Sequence, residues 1–478
     1  MRNLFISLLA VIALVSCSDL QIVQTDNTAP IYPDYTDITI PQNIAPLNFL
    51  LRDSAEDVKV IACNKELYNG SGNKVCFDMN EWKDFIHGHT GKTVTIQVMA
   101  RHSDRWIAYK PFTWHITNDK IDPYLTYRLI EPDYEVFSDL QIQERCVENF
   151  DVRSLCNYSL VGNRCMNCHV FGNQNPNLSM MYVRGEGGGA ILNRNGLLRK
   201  LNIKTNQMVS GSVYAGFSPS GRYITFSTNV IIPAFHSKAE KRLEVYDSKS
   251  DVYVADFDHN RIFSSPLISD STVFETFPTF SPDGKYIYFC TARKVQLPQD
   301  IKNLQYSLCR IAFDEKTGHL GNRVDTLLNA RHAPHSSVCH PRISPDGKYI
   351  LYTVQDYGTF PIWHRESDLQ MMNLKTGKTD TLAIVNSNRS DTYHSWSSTN
   401  RWFVFASKRG DGLYGKPYFC YVDRQGNAQK PFVLPQKDPS FYDLNLKSFN
   451  IPELSRGQAP FDARDVAKKM QETTEEFK

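Results

Sequence analysis

The chain lacks an apolar run long enough to cross a bilayer: the stretch from Leu4 to Val15 has about a dozen residues, where a spanning helix needs roughly 20. A permanent transmembrane anchor is therefore a poor reading of that run. Charge of one sign is also missing, with 53 Lys plus Arg against 51 Asp plus Glu, so the sequence carries no footprint for nucleic acid or for an anionic lipid surface. No Gly-x-Ser-x-Gly elbow is present; the nearest run, Gly216 to Gly221, has the wrong spacing for a serine hydrolase. Nor is there the second Cys-x-x-Cys pair that a zinc ribbon requires.

What stands at the N-terminus is one cation, Arg2, then the short apolar run, then Leu14-Val15-Ser16-Cys17 followed by polar residues. This is the layout of a secretory signal. Small residues before Cys17 admit a peptidase, and the Cys17 thiol can take a diacylglycerol. The arrangement resembles the lipobox of bacterial lipoproteins. The resemblance implies that Cys17 is the mature N-terminus and that lipid on it is the partner contact with a membrane, the outer membrane of the cell envelope, on its periplasmic or outer face. Export also places the other ten of the 11 cysteines outside the reducing cytosol, where disulfides are permitted.

Residues 1–17 are read as signal and lipobox, and 18–46 as an extended tether punctuated by Pro30, Pro33, Pro41 and Pro46. Short alternating runs between 47 and 118, among them Val58 to Ala62, Val75 to Asp78 and Thr93 to Met99, predict a small β-sandwich. Pairing Val58–Ala62 with Val75–Asp78 around Asn69-Gly70 would set Cys63 opposite Cys76 and predicts a disulfide there. Residues 119–177 break the pattern. They read as an irregular connector with a short helix from Tyr134 to Phe150 and a Cys-rich loop, in which Cys146 and Cys156 are placed for a second disulfide.

Beyond the connector a motif repeats. Phe217-Ser218-Pro219-Ser220-Gly221-Arg222-Tyr223-Ile224 returns from Phe280 to Ile287 and from Ile343 to Ile350, with a degenerate copy from Trp396 to Phe403. Pro presets a turn, Asp or Ser accepts its hydrogen bonds, and Gly supplies a positive φ. An alternating strand follows each turn, then two more, which is one four-stranded propeller blade. Residues 178–435 thus predict five blades, or six if a terminal segment completes another, with 436–478 as a C-terminal segment. The repeats resemble those of TolB-like β-propellers. The whole fold is predicted as all-β.

Inside the connector stands Cys165-Met166-Asn167-Cys168-His169. Two intervening residues let two thiols reach one edge of a haem, and the following His can ligate the iron. Covalent haem attachment takes place on the exported side of a membrane, where the signal sends this chain. The set of lipobox, small β domain, Cys-x-x-Cys-His and repeats resembles a family of exported, haem-motif TolB-like lipoproteins. Asp356 to His364 and Tyr393 to Ser398 look like signature stretches of it. The resemblance implies one haem c held by Cys165 and Cys168, with His169 as axial ligand.

No sixth ligand is assigned. Met180 and Met181 follow closely but sit where a blade strand begins, and His87, His236 and His394 are remote. His332, His335, Cys339 and His340 form a second cluster whose types suit a metal, although in an extended stretch neighbours face opposite ways. Trp363, Trp396 and Trp402 fit strand positions and predict blade packing. The expected function is electron transfer or haem-dependent sensing with an envelope or redox partner. The alternative is a binding module in which Cys165 and Cys168 are structural.

Overall fold

A computed structural model describes residues 21–131, 139–235, 243–330 and 337–478. Cys17 and the lipobox lie outside them, as do His236, His332 and His335.

The chain is all-β, and its larger part is a six-bladed propeller. Blade one holds Met166–Phe171, Leu178–Val183, Gly189–Arg194 and Leu197–Asn202; blades two to five begin with innermost strands Ser212–Phe217, Val273–Phe280, Ser337–Ile343 and Asp391–Trp396. The sixth blade closes the ring. Its innermost strand is the C-terminal Ser448–Ser455, paired antiparallel with Tyr124–Ile130, which continues to Gln141–Cys146 and Val152–Asn157. Strands from the two ends of the propeller region share one sheet, so opening the ring breaks a ladder rather than a loop contact.

The Ser-Pro turns fold as their residue types require. Ser281 Oγ donates to Asp283 Oδ1 at 2.6 Å and accepts from Tyr286 N at 3.0 Å, while Gly221, Gly284 and Gly347 take φ of 72°, 70° and 72°. Each turn hands the chain from the innermost strand to the second strand of its blade.

Five expectations are corrected. Residues assigned to a tether instead supply strands Gln21–Thr28 and Ile38–Pro41, which join the N-terminal sheet as parallel partners of Arg105–Lys110 and Phe112–Thr117. The segment predicted as a helix from Tyr134 carries strand Gln141–Cys146, because alternation of Ile142, Glu144 and Cys146 buries one face of a blade. Val58–Ala62 pairs with Lys65–Ser71 through a two-residue turn at Cys63-Asn64, both with positive φ, and not with the Val75 segment. Cys63 is therefore at a hairpin tip and Cys76 beyond a different strand; both are free and exposed, and the predicted disulfide is absent. Cys146 and Cys156 are also free, since Cys156 pairs with Ile142, four residues from Cys146.

The N-terminal domain adds an element the alternation did not announce, the helix Met79–His89, capped by Asp78 and buried through Trp82 and Ile86. The domain shares one apolar core with blades five and six, in which Trp82 and Trp114 join Trp402, Phe419, Phe449 and Leu454.

Candidate functional site

The six innermost strands line one channel. In five of them a bulge interrupts the ladder to the second strand, and its first residue is left-handed: Tyr214, Phe277, His340, Tyr393 and Ile451, with φ between 48° and 53°. Non-glycine residues pay strain there, so five repetitions mark a built feature. The rings of four of them meet: centroids are 4.5 Å apart for Tyr214 and Phe277, 4.0 Å for Phe277 and His340, and 4.9 Å for His340 and Tyr393. They form an aromatic collar across the channel.

Two residues further along each strand stand Val170, Gly216, Thr279, Arg342, Ser395 and Glu453, one per blade, and together they line a cavity of about 340 Å³ at the end where the Ser-Pro turns lie. Trp396 and Arg456 complete its wall. Glu453 accepts from Phe171 N at 3.1 Å; burial pushes its carboxyl up to about 7 against the opposing pull of Arg342.

The Cys-x-x-Cys-His motif belongs to the innermost strand of blade one, Met166–Phe171, and not to an irregular loop. Here the ladder shifts between Met166 and Cys168, so the extra residue is Asn167, within the spacer of the motif. Cys165 is half-buried against the core between blades one and six, and its carbonyl accepts from Arg184 N at 2.8 Å. Cys168 is paired in register with Tyr182.

His169 is 6% exposed, and neither ring nitrogen has a hydrogen-bond partner. The backbone of Thr126 and Ile451, in blade six, faces the ring and favours its protonated form, although neither contact closes to hydrogen-bond geometry. Burial, reinforced by the charge of Arg128, lowers the imidazole to about 4, so the ring is neutral at physiological pH with a lone pair available. That donor chemistry fits an axial haem ligand, and two thiols with a neutral imidazole are the set a haem c uses. The packing is tight: His169 lies in the wall between blades one and six, and the described cavity nearest it is lined by Val170 and Phe171 rather than by its ring.

The remaining candidates are dispersed. Met181 is the cross-strand partner of His169 and buried beside it, while Met180 faces the core shared with blade two. His87 is on the N-terminal helix. Cys339 is buried with its Sγ 3.8 Å from the Gly358 carbonyl, and its neighbour His340 is in the collar. Among the described residues no group of three or more His, Cys, Asp or Glu side chains is placed to hold a metal ion. Trp396 and Trp402 are buried in blade packing as expected, and Trp363 lies beneath the Lys408 ammonium at 4.3 Å.

The collar and the cavity were not foreseen. Their signal was present in the residues just before each Ser-Pro turn, as in Phe277-Pro278-Thr279-Phe280 and Tyr393-His394-Ser395-Trp396, where an aromatic recurs three residues before another.

No family model matches the chain, and no curated protein matches it either. Among solved structures, the β-propeller domain of the trilobed protease from Pyrococcus furiosus is 9% identical, over 71% of this chain and 81% of that one, with a TM-score of 0.29. A puromycin-hydrolysing peptidase of Mycobacterium tuberculosis is 11% identical with a TM-score of 0.30, and Porphyromonas gingivalis dipeptidyl peptidase 4 is 8% identical with a TM-score of 0.31; each is matched over 65% of this chain. The chain spans 38% and 52% of the length of those two enzymes. No chemistry of this chain follows from them.

Proposed function

We propose that this chain is an exported TolB-like propeller lipoprotein, anchored through Cys17, that carries one haem c on Cys165 and Cys168 with His169 as axial ligand. Its role on this reading is electron transfer or haem-dependent sensing with an envelope partner. The observation that carries it is the state of His169: a buried neutral imidazole with both nitrogens unpartnered, at the third functional position of the motif. Burying such a group without a closed hydrogen bond costs about 1–3 kcal/mol, and iron ligation would offset that cost more fully than the open contacts to Thr126 and Ile451. Haem, when bound, supplies a one-electron couple. The chain's own contribution is to hold the ring neutral, fix its orientation between two blades and keep water from it.

The test is wild type produced in a host with haem-ligation machinery, examined by reduced absorption spectrum and intact mass. A c-type spectrum with one added haem mass is expected, lost in Cys165→Ala and Cys168→Ala and spectrally altered in His169→Ala. Haem-free wild type from its native envelope overturns the reading.

A second reading, a binding module, is favoured by the cavity of about 340 Å³, where Arg342 and Glu453 present opposite charges from blades four and six to one small volume. Arg342→Ala and Glu453→Gln variants that keep haem but lose an envelope partner would assign recognition to that mouth.

A further inference from the structure

At the end of the channel away from the Ser-Pro turns, blade two extends. Its middle strands, Tyr223–Phe235 and Leu243–Asp256, have 13 and 14 residues and stay paired to Phe235 and Leu243, with a bulge opposite Val230 and Ile231. The projecting half forms an arm. Leu243 and Val245 pack on Phe360, with Ile231 and Trp363 beside them, so the arm rests on the loop that follows the second strand of blade four. Polar contacts hold the same junction: Tyr357 donates to Glu244 Oε2 at 2.8 Å, and His364 places Nε2 3.3 Å from Glu244 Oε1 and Nδ1 2.9 Å from Glu366 Oε1.

Within the junction Asp247 is 0% exposed, and neither carboxylate oxygen has a hydrogen-bond partner. Ser250 Oγ of the arm, Thr359 Oγ1 of the loop and the Tyr306 hydroxyl of blade three are likewise buried and unpartnered. Asn229 and Thr359 face Asp247 and favour its charged form without closing to hydrogen-bond geometry, and its charge reaches Tyr306. Hydroxyl hydrogens rotate freely, so the O–H groups of Thr359 and Tyr306, facing a carboxylate that no donor reaches at hydrogen-bond geometry, are spaced as ligands around a common centre rather than as its donors. A buried charge must be paired or coordinated.

We propose that Asp247, with Thr359 and Tyr306, binds a desolvated monovalent cation, Na⁺ or K⁺, which locks the arm of blade two to blades three and four. One carboxylate balances one positive charge, and the neutral oxygens replace a hydration shell, as oxygen dipoles do for such ions. Glu275 flanks Tyr306 on another side, but its Oε1 is engaged by Asp270 N at 3.1 Å. The assignment is independent of haem.

The experiment is thermal unfolding of the full chain in choline chloride, with NaCl or KCl added at constant ionic strength and CaCl2 as the divalent arm. Wild type should gain several degrees in Tm, saturably, from NaCl or KCl. Asp247→Asn should unfold at one temperature in all three salts, and Thr359→Val should need about tenfold more cation. Equal Tm of wild type in choline, sodium and potassium overturns the proposal. So does an undiminished sodium response in both variants, which identifies a surface ion, and so does a response to calcium alone. Should Asp247→Asn fail to fold, Thr359→Val alone decides, because it removes one ligand and no charge.

Discussion

Two histidines occupy the same place in two blades. His169 and His394 each stand two residues before the last aromatic of an innermost strand, Phe171 in blade one and Trp396 in blade five. Both are buried and both are held neutral by burial, at about 4 and about 3. They differ in what answers the ring. His394 Nε2 lies 2.9 Å from the Leu351 carbonyl on the second strand of blade four, whereas the backbone of Thr126, at the same place in blade six, faces His169 without closing a hydrogen bond to either ring nitrogen. The propeller thus has a way to accommodate a histidine at this position, by lending it a carbonyl of the preceding blade. At blade one the same solution is offered by Thr126 of blade six but its hydrogen bond stays open, and blade one is where the two cysteines stand.

The largest expected effect tests what the two rings share. Each binds a proton near pH 6.5 when unfolded and only far below that when folded, so between those values the unfolded state carries more protons and stability falls as pH drops. For His169 the window runs from 6.5 to about 4 and is worth roughly 3 kcal/mol; for His394 it runs to about 3 and is worth roughly 5 kcal/mol. Urea unfolding of haem-free protein at pH 7 and pH 4.5 should show this loss, and His169→Leu should flatten part of the slope. A stability that does not fall on acidification would mean that both rings are hydrated.

Substitution at neutral pH should then separate them. His394→Leu removes the bond to Leu351 and leaves that carbonyl buried without a donor, at a cost of about 2–3 kcal/mol. His169→Leu in haem-free protein removes a ring that closes no hydrogen bond and should leave stability unchanged or raise it by up to about 1–3 kcal/mol. Matching losses in the two variants would show that a partner reaches His169, and the contrast on which the haem reading leans would be gone.

A third histidine runs the opposite way with pH. Burial opposes protonation of His364, but bonds to Glu244 and Glu366 outweigh it and raise the ring above its ordinary value. Its contribution is therefore complete below about pH 6.5 and is lost as pH rises through the raised value. His364→Gln should cost about 1–3 kcal/mol at pH 6 and less at pH 9, read by thermal unfolding. An equal cost at both pH values would place the ring in the neutral state throughout.

How legible all this was depends on whether a feature is local in sequence. The Ser-Pro-Asp-Gly turns are self-contained, since serine, aspartate and glycine satisfy one another within six residues, and they announced the blades. The sixth blade did not announce itself, because its strands lie more than 300 residues apart and Ser448–Ser455 carries no Ser-Pro turn. The motif was legible as chemistry but not as geometry: Cys165 to His169 reads alike in a loop or a strand, and only the ladder with Leu178–Val183 decides. The Cys63–Cys76 disulfide failed for the same reason, since a turn at Cys63-Asn64 instead of Asn69-Gly70 moves every partner.

The smallest effect examines the turns themselves, which blade one lacks. Gly221, Gly284 and Gly347 share one conformation but not one setting. A Cβ at Gly221 would come 2.6 Å from Leu178 Cδ2 and one at Gly284 2.6 Å from Glu315 Oε2, while at Gly347 nothing lies within 4 Å. Gly347→Ala therefore isolates the backbone cost of a left-handed residue, about 1 kcal/mol. Gly284→Ala adds only the displacement of a flexible carboxylate from a blade turn and should cost little more. Gly221→Ala must move Leu178, which stands at the start of the second strand of blade one and packs toward blade two. It should cost about 1–2 kcal/mol beyond Gly347→Ala. Chemical denaturation of the three variants ranks them, and equal costs at Gly221 and Gly347 would mean that the contact between blades one and two yields freely, leaving the strand that carries the Cys-x-x-Cys-His motif less rigidly held than its five counterparts.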